Sequence, residues 1–191
     1  EWRVVTFPAP ADLSLVDAVG SWLRNFHSPD ARFLTRHAGE PWALAWQGVY
    51  NAQPVSTRVW VAPTWAPAPD EAEVSVILDP TLAFGGGAHA TTVGMLNLLD
   101  KLLHDNHATT VLDVGSGSGI LAIAAAKLGA DAVGVEIDSH AVAESEKNVA
   151  LNGVSEKVEI RAGTMDAVRP DETFDVVVAN VDASVLTAVA P

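Results

Sequence analysis

The stretch VLDVGSGSGI, residues 111–120, constrains the fold more than any other part of the chain. An apolar run, TTVLDV (109–114), leads straight into Gly115, Gly117 and Gly119, and an alanine-rich segment, GILAIAAAKLGA (119–130), follows at once. Strand, glycine turn and helix in this order are a ligand-binding unit of a parallel α/β sheet, because glycine lets the backbone turn tightly and approach a bound molecule that a Cβ would exclude. The alternation continues on both sides. TTVGMLNLLDKLLHD (91–105) and SHAVAESEKNVALNGV (139–154) read as helices, and AVGVEI (132–137), VEIRAG (158–163) and FDVVVANV (174–181) as strands. Alternating strands and helices predict a parallel sheet with right-handed crossovers. On the first of these helices Met95, Leu98, Leu99 and Leu102 are expected to share the buried face. Gly129 and Gly153 are placed to end their helices, and the helix bearing Glu144, Glu146 and Lys147 is expected to present them to solvent.

The chain before residue 91 is less regular. WRVVTF (2–7), RVWVAP (58–63) and VSVILD (74–79) read as strands, and 13–26 and 41–50 as helices. The Pro-rich, acidic stretch 62–73 reads as a linker. Five of the six tryptophans precede residue 61 and are expected to pack the N-terminal part. Hydrophobic residues make up 49% of the chain and charged ones 18%, which suits a packed core. A net charge of -13 argues against general contact with nucleic acid, whose phosphates need clustered Lys and Arg. With no cysteine there are no disulfides and no thiolate chemistry. No apolar run approaches the ~18 residues of a membrane span, so a soluble chain without a membrane partner is expected. His104 and His107 stand at helical spacing without an evident third ligand, so no metal is expected.

The glycine turn carries further chemistry. Glu136 ends the next strand, 19 residues past Gly117, where an acid can accept the hydroxyls of an adenosine ribose. The dinucleotide pattern G-x-G-x-x-G is broken by Ile120. Asp113, just before the turn, would repel a pyrophosphate but suits the ammonium of a methionine moiety. Together these favour S-adenosyl-L-methionine over NAD. Asp166, in GTMDAV, is placed to accept from an adenine amino group or, alternatively, to cap its own loop. Asn180 ends the 174–181 strand at the sheet's carboxyl edge, where its side-chain oxygen and the Val181 carbonyl can orient an incoming amine; its alternative role is a strand-end cap.

VLDVGSGSG, GVEID, AGTMD and FDVVVANV in this order resemble the class I methyltransferases. LDPTLAFGGGAHATT (78–92) narrows the resemblance to the methyltransferases of a large-subunit ribosomal protein (protein eleven; the PrmA family). The family pattern is Ala-Phe-Gly-Thr-Gly-x-His-x-Thr-Thr; the chain matches it at Ala83, Phe84, Gly85, Gly87, His89, Thr91 and Thr92 and has Gly86 in place of the Thr. The resemblance implies a Rossmann-like sheet, of which the first four of the usual seven strands are expected here, preceded by part of a small α/β substrate-recognition domain. The implied organisation is recognition domain and connecting helix over 1–60, linker strand and glycine-rich loop over 61–90, and the cofactor-binding domain over 91–191, the chain being cut at both ends. It also implies that Phe84, Gly85, Gly87, Thr91 and Thr92 join Asp113, Gly115, Gly117, Gly119, Glu136, Asp166 and Asn180 around the cofactor. Asn180 is then the catalytic residue of a cytoplasmic, monomeric protein N-methyltransferase acting on lysine or N-terminal amines. The Asn-Pro-Pro-aromatic pattern of adenine and glutamine methyltransferases is absent. Asp182, an acid unexpected in the family, either lies on the surface or steers a basic substrate. Methylation of another protein or a small molecule, or a non-catalytic cofactor-binding remnant, are the alternatives.

Overall fold

The computed structural model describes residues 51–78, 89–105 and 108–182, all in a compact unit that begins at Val49. The strand expected at 2–7, the helices at 13–26 and 41–50, Phe84, Gly85, Gly86, Gly87 and His107 lie outside the described residues.

Three short strands come first: β1 (Gln53–Pro54), β2 (Val59–Pro63) and β3 (Val74–Leu78). β1 pairs antiparallel with β2, and β2 parallel with β3, so the Pro-rich stretch returns the chain between two strands of one sheet. Helix α1 (Ala90–Asp105) follows. Then β4 (Thr110–Val114), α2 (Ile120–Lys127), β5 (Asp131–Glu136), α3 (Ser139–Leu151), β6 (Val158–Ala162) and β7 (Val176–Ala179) form the alternating part. The second sheet runs β6-β5-β4-β7, all parallel, which is the expected α/β architecture. Its order reverses at β4, so β4 and its neighbours carry the crevice where such sheets bind ligands, at the carboxyl ends of the strands.

The core explains why the sheets stay together. α2 touches β3 as well as β4 and β5, and every residue from Ile120 to Ala126 is buried. A helix apolar all round belongs in the interior. Valines of β2 and β3 join Leu96, Leu99, Leu103 and Ile123 in one cluster. Leu112, Val114 and Val135 form a smaller cluster on the other face of the second sheet, with Phe174 against it.

The buried face of α1 differs from the one its leucines suggest. Thr92, Leu96, Leu99, Asp100 and Leu103 face inward, whereas Leu98 is 49% exposed. The reason is polar. Asp100 is buried because Arg58 and Ser56 bind it: Arg58 Nε donates to Asp100 Oδ1 at 2.7 Å and Ser56 Oγ to Oδ2 at 2.7 Å. Burial pushes the Asp100 carboxyl up, but these partners outweigh it and hold it below its ordinary value. Two polar residues therefore belong to the inner stripe, and a count of apolar positions alone turns the helix away from it.

Candidate functional site

The glycine turn is held by its own backbone. Gly115, Gly117 and Gly119 all have positive φ, the left-handed region open mainly to glycine. Gly115 N–H and Ser116 N–H both donate to the Val135 carbonyl, at 2.9 and 3.1 Å. Gly119 N–H donates to the Ser116 carbonyl at 2.8 Å, and Gly117 N–H to Glu136 Oε2 at 2.9 Å. Four N–H groups of the turn are thus engaged inside the protein. A pyrophosphate is cradled by such N–H groups when they are free, so the turn as built suits a ligand that does not demand them. A Cβ on Gly115 would run into Val181 Cγ1, which brings the residue after Asn180 onto the turn itself.

Three acids mark the crevice. Glu136, 9% exposed, takes the Gly117 N–H on one oxygen and the Asp138 N–H, at 2.9 Å, on the other. An ionised carboxylate has about four acceptor positions, so two hydroxyl donors still fit. Asp113 is 1% exposed, and neither of its oxygens has a hydrogen-bond partner. Burial pushes its carboxyl from 3.8 up to about 7; the Ala122 N–H opposes this without a hydrogen bond of normal geometry, and the Glu136 charge adds to it. Ser116 Oγ, on the turn itself, is a further buried polar atom without a partner. Asp166 is exposed; its Oδ1 accepts the Thr164 hydroxyl at 2.6 Å and N–H at 2.9 Å, which hold its carboxyl below the ordinary range. These bonds order the short 3-10 turn Met165–Ala167. Arg161, bound to both Glu172 oxygens at 2.7 Å, also donates to the Ala167 carbonyl at 3.2 Å and ties that turn to β6.

Thr92 and Asn180 meet as well. Asn180 Nδ2 donates to Thr92 Oγ1 at 3.2 Å, joining the end of β7 to the first turn of α1. That bond uses the amide nitrogen and leaves the Asn180 side-chain oxygen to act as an acceptor. Thr92 is buried, whereas Thr91 is exposed and its hydroxyl lies 2.7 Å from His89 Nδ1. Asp182 is exposed.

Two side chains escaped the sequence reading. Ile137 is 76% exposed directly after Glu136, and Met165 is 40% exposed directly before Asp166. Their strands are neighbours, and Gly163 N–H donates to the Glu136 carbonyl at 2.8 Å. Each is a large apolar side chain standing in water next to an acid in the chain. The signal was an apolar residue following the acid at a strand's carboxyl end, where it has no sheet neighbour to bury it.

The family model of "Ribosomal protein L11 methyltransferase (PrmA)" matches residues 12–191. The chain belongs to the ribosomal protein L11 methyltransferase family. It is similar to the ribosomal protein L11 methyltransferase of Escherichia coli O81, with 45% identity over 190 residues, 97% of this chain and 62% of that one. For the relative from Escherichia coli strain 55989 the figures are 45% over 152 residues, 78% and 50%. The chain therefore spans one half to about six tenths of the length of these family members. The crystal structure of the ribosomal protein L11 methylase from Lactobacillus delbrueckii subsp. bulgaricus superimposes with a TM-score of 0.63 at 34% identity, over 73% of this chain and 71% of that one. The Rossmann-like methyltransferase fold expected from the sequence is the fold of the family member.

Proposed function

We propose that this chain carries the cofactor-binding part of an S-adenosylmethionine-dependent protein N-methyltransferase whose substrate is a ribosomal protein of the large subunit. The observation that carries the reading is the pairing of a glycine turn whose own N–H groups are satisfied with a buried, unpartnered Asp113 at its foot. A ligand with a cationic end and no phosphate answers both features, since a positive charge near the turn offsets the cost of an ionised Asp113. Glu136 would hold the ribose hydroxyls, and Ile137, Met165 and Asp166 the adenine. Phe84, Gly85, Gly87 and Thr91 would close over the same ligand, and residues 1–60 would supply part of the module that grips the substrate. Bound there, the cofactor supplies a methyl group on a positively charged sulfur.

The residues of this chain then position the amine. Asn180 is held through its Nδ2 by Thr92, so its side-chain oxygen can accept an N–H and aim the nitrogen lone pair. Orientation of this kind is a large part of the rate of a displacement between two bound groups. The amine must arrive neutral, and a cationic ligand beside it favours that state. Exposed Asp182 favours a basic substrate. A ribosomal protein substrate implies a cytoplasmic enzyme.

The test is calorimetric titration with S-adenosylhomocysteine and, separately, NADH, followed by a labelled-methyl assay on large-subunit ribosomal proteins. Binding of the first compound alone, with label in a ribosomal protein, is the expected result. Binding of NADH would refute the cofactor assignment. Binding without label in any ribosomal protein would leave the two alternatives, a different substrate or a remnant without turnover.

A further inference from the structure

α3 packs inward through polar groups. Its buried residues are Ser145, Asn148 and Val149, and Asn152 follows as its C-cap, 9% exposed. Positions 145, 148 and 152 lie on one helix face. Asparagine is a poor choice for a buried helix position unless its amide has partners. Here both have. Asn148 Nδ2 donates to the Ser118 carbonyl at 2.9 Å, inside the glycine turn. Asn152 Oδ1 accepts the Ile77 N–H at 2.8 Å, and its Nδ2 donates to the Ile77 carbonyl at 2.6 Å and to the Asn148 carbonyl at 2.8 Å. Asn152 thus stands in for a neighbouring strand on β3, which leads toward the glycine-rich segment 82–92. One turn earlier, Ser145 Cβ lies 3.1 Å from where a Cβ on Gly119 would be, so the helix is seated directly against the turn.

We propose that Asn148 is a positioning residue for cofactor binding, holding the glycine turn in its binding shape through the Ser118 carbonyl, while Asn152 anchors the β3 strand without touching the turn. The inference rests on the cofactor reading above. The turn's N–H groups are fixed by Val135, Ser116 and Glu136, and the Ser118 carbonyl is fixed by Asn148. Without the Asn148 amide that carbonyl is buried with one partner fewer, and the backbone between Gly117 and Gly119 has reason to rotate.

Asn148→Ala and Asn152→Ala each remove buried amide bonds of the same helix, so both are expected to lower the melting temperature. Only Asn148→Ala should weaken S-adenosylhomocysteine binding, about tenfold, the size of one lost buried hydrogen bond. Asn152→Ala should stay within about twofold of the parent chain when both are measured well below their melting temperatures. Wild-type affinity in Asn148→Ala, or an equal loss in Asn152→Ala, overturns the proposal. If the parent chain itself binds no S-adenosylhomocysteine, the cofactor reading fails and takes the proposal with it. A second measurement needs no variant: in the parent chain the Asn148 side-chain NH2 signals should exchange slowly and shift when S-adenosylhomocysteine is added, with those of Asn152 unmoved. Asn148 signals that exchange freely or ignore the ligand overturn the proposal even if Asn148→Ala does not fold.

Discussion

The substitution Asp113→Asn should make this protein more stable and a poorer binder of its cofactor, with both effects set by pH. The carboxyl titrates near 3.8 in an unfolded chain and at about 7 in the fold, so the folded state holds its proton more tightly. Below pH ~4 both states are protonated and the residue contributes nothing to the pH dependence. As pH rises from there to about 7, the unfolded chain gives up the proton and the folded one does not, so stability falls by about 1.4 kcal/mol per pH unit. Above about 7 the loss is complete, at roughly 4 kcal/mol, an upper figure because some relaxation accompanies ionisation. The amide introduced by Asp113→Asn resembles the protonated acid in size and in lacking partners, but it never ionises. The stability difference between Asp113→Asn and the parent should therefore be about 1–2 kcal/mol at pH 5 and grow toward about 4 at pH 8. Urea denaturation followed by tryptophan fluorescence at the two pH values measures it, and the comparison cancels the titration of every other group. A difference that does not change with pH would refute the idea that an unpartnered, ionisable Asp113 strains the turn. S-adenosylhomocysteine should bind the variant several-fold more weakly at pH 8, since the charge that offsets the ligand's cationic end is gone.

Glu136→Ala should weaken cofactor binding by roughly 1–3 kcal/mol, the range for losing a charged hydrogen-bond partner, as read by calorimetry; unchanged affinity would remove Glu136 from the site. Asn180→Ala should lower turnover far more than cofactor affinity, and Thr92→Val should lower it less, since Thr92 only holds the amide; equal losses in turnover and affinity would count against the role of Asn180. Arg58→Ala should destabilise the fold by up to about 3 kcal/mol, the low end for breaking a buried pair, because the Arg58 side chain keeps 22% exposure while Asp100 keeps 7%. The contribution of that pair should fade as pH falls through the depressed pKa of Asp100, so parent and variant should converge in acid denaturation curves.

The strand–turn–helix at 109–130 and the parallel order were legible because glycine spacing and a switch between two periodicities are local signals. Glu136 reaches the glycine turn through the Gly117 N–H. What the sequence hid depends on pairings across long separations. Asp100 looks like a surface acid of α1 until Arg58, 42 residues earlier, is folded against it. Asn148 and Asn152 look like ordinary polar positions of a solvated helix until Ser118 and Ile77 reach them. Asp113 shows the same limit from the other side: its type and place could be read, but not that its carboxyl would be sealed from water. The Thr92 hydroxyl takes the Asn180 amide, a contact across 88 residues.

The enclosure of α2 bears on how the family can diverge. From Ala122 to Ala125 no side chain reaches solvent, with strands of two sheets against the helix. At the three alanines of that run a methyl group is about all that fits, and enlarging one would press on the strands packed against it, at about 1–3 kcal/mol. Neutral drift is then nearly closed along this helix. Variation between lineages should collect instead in the Pro-rich return from β2 to β3, whose length can change without moving either glycine segment.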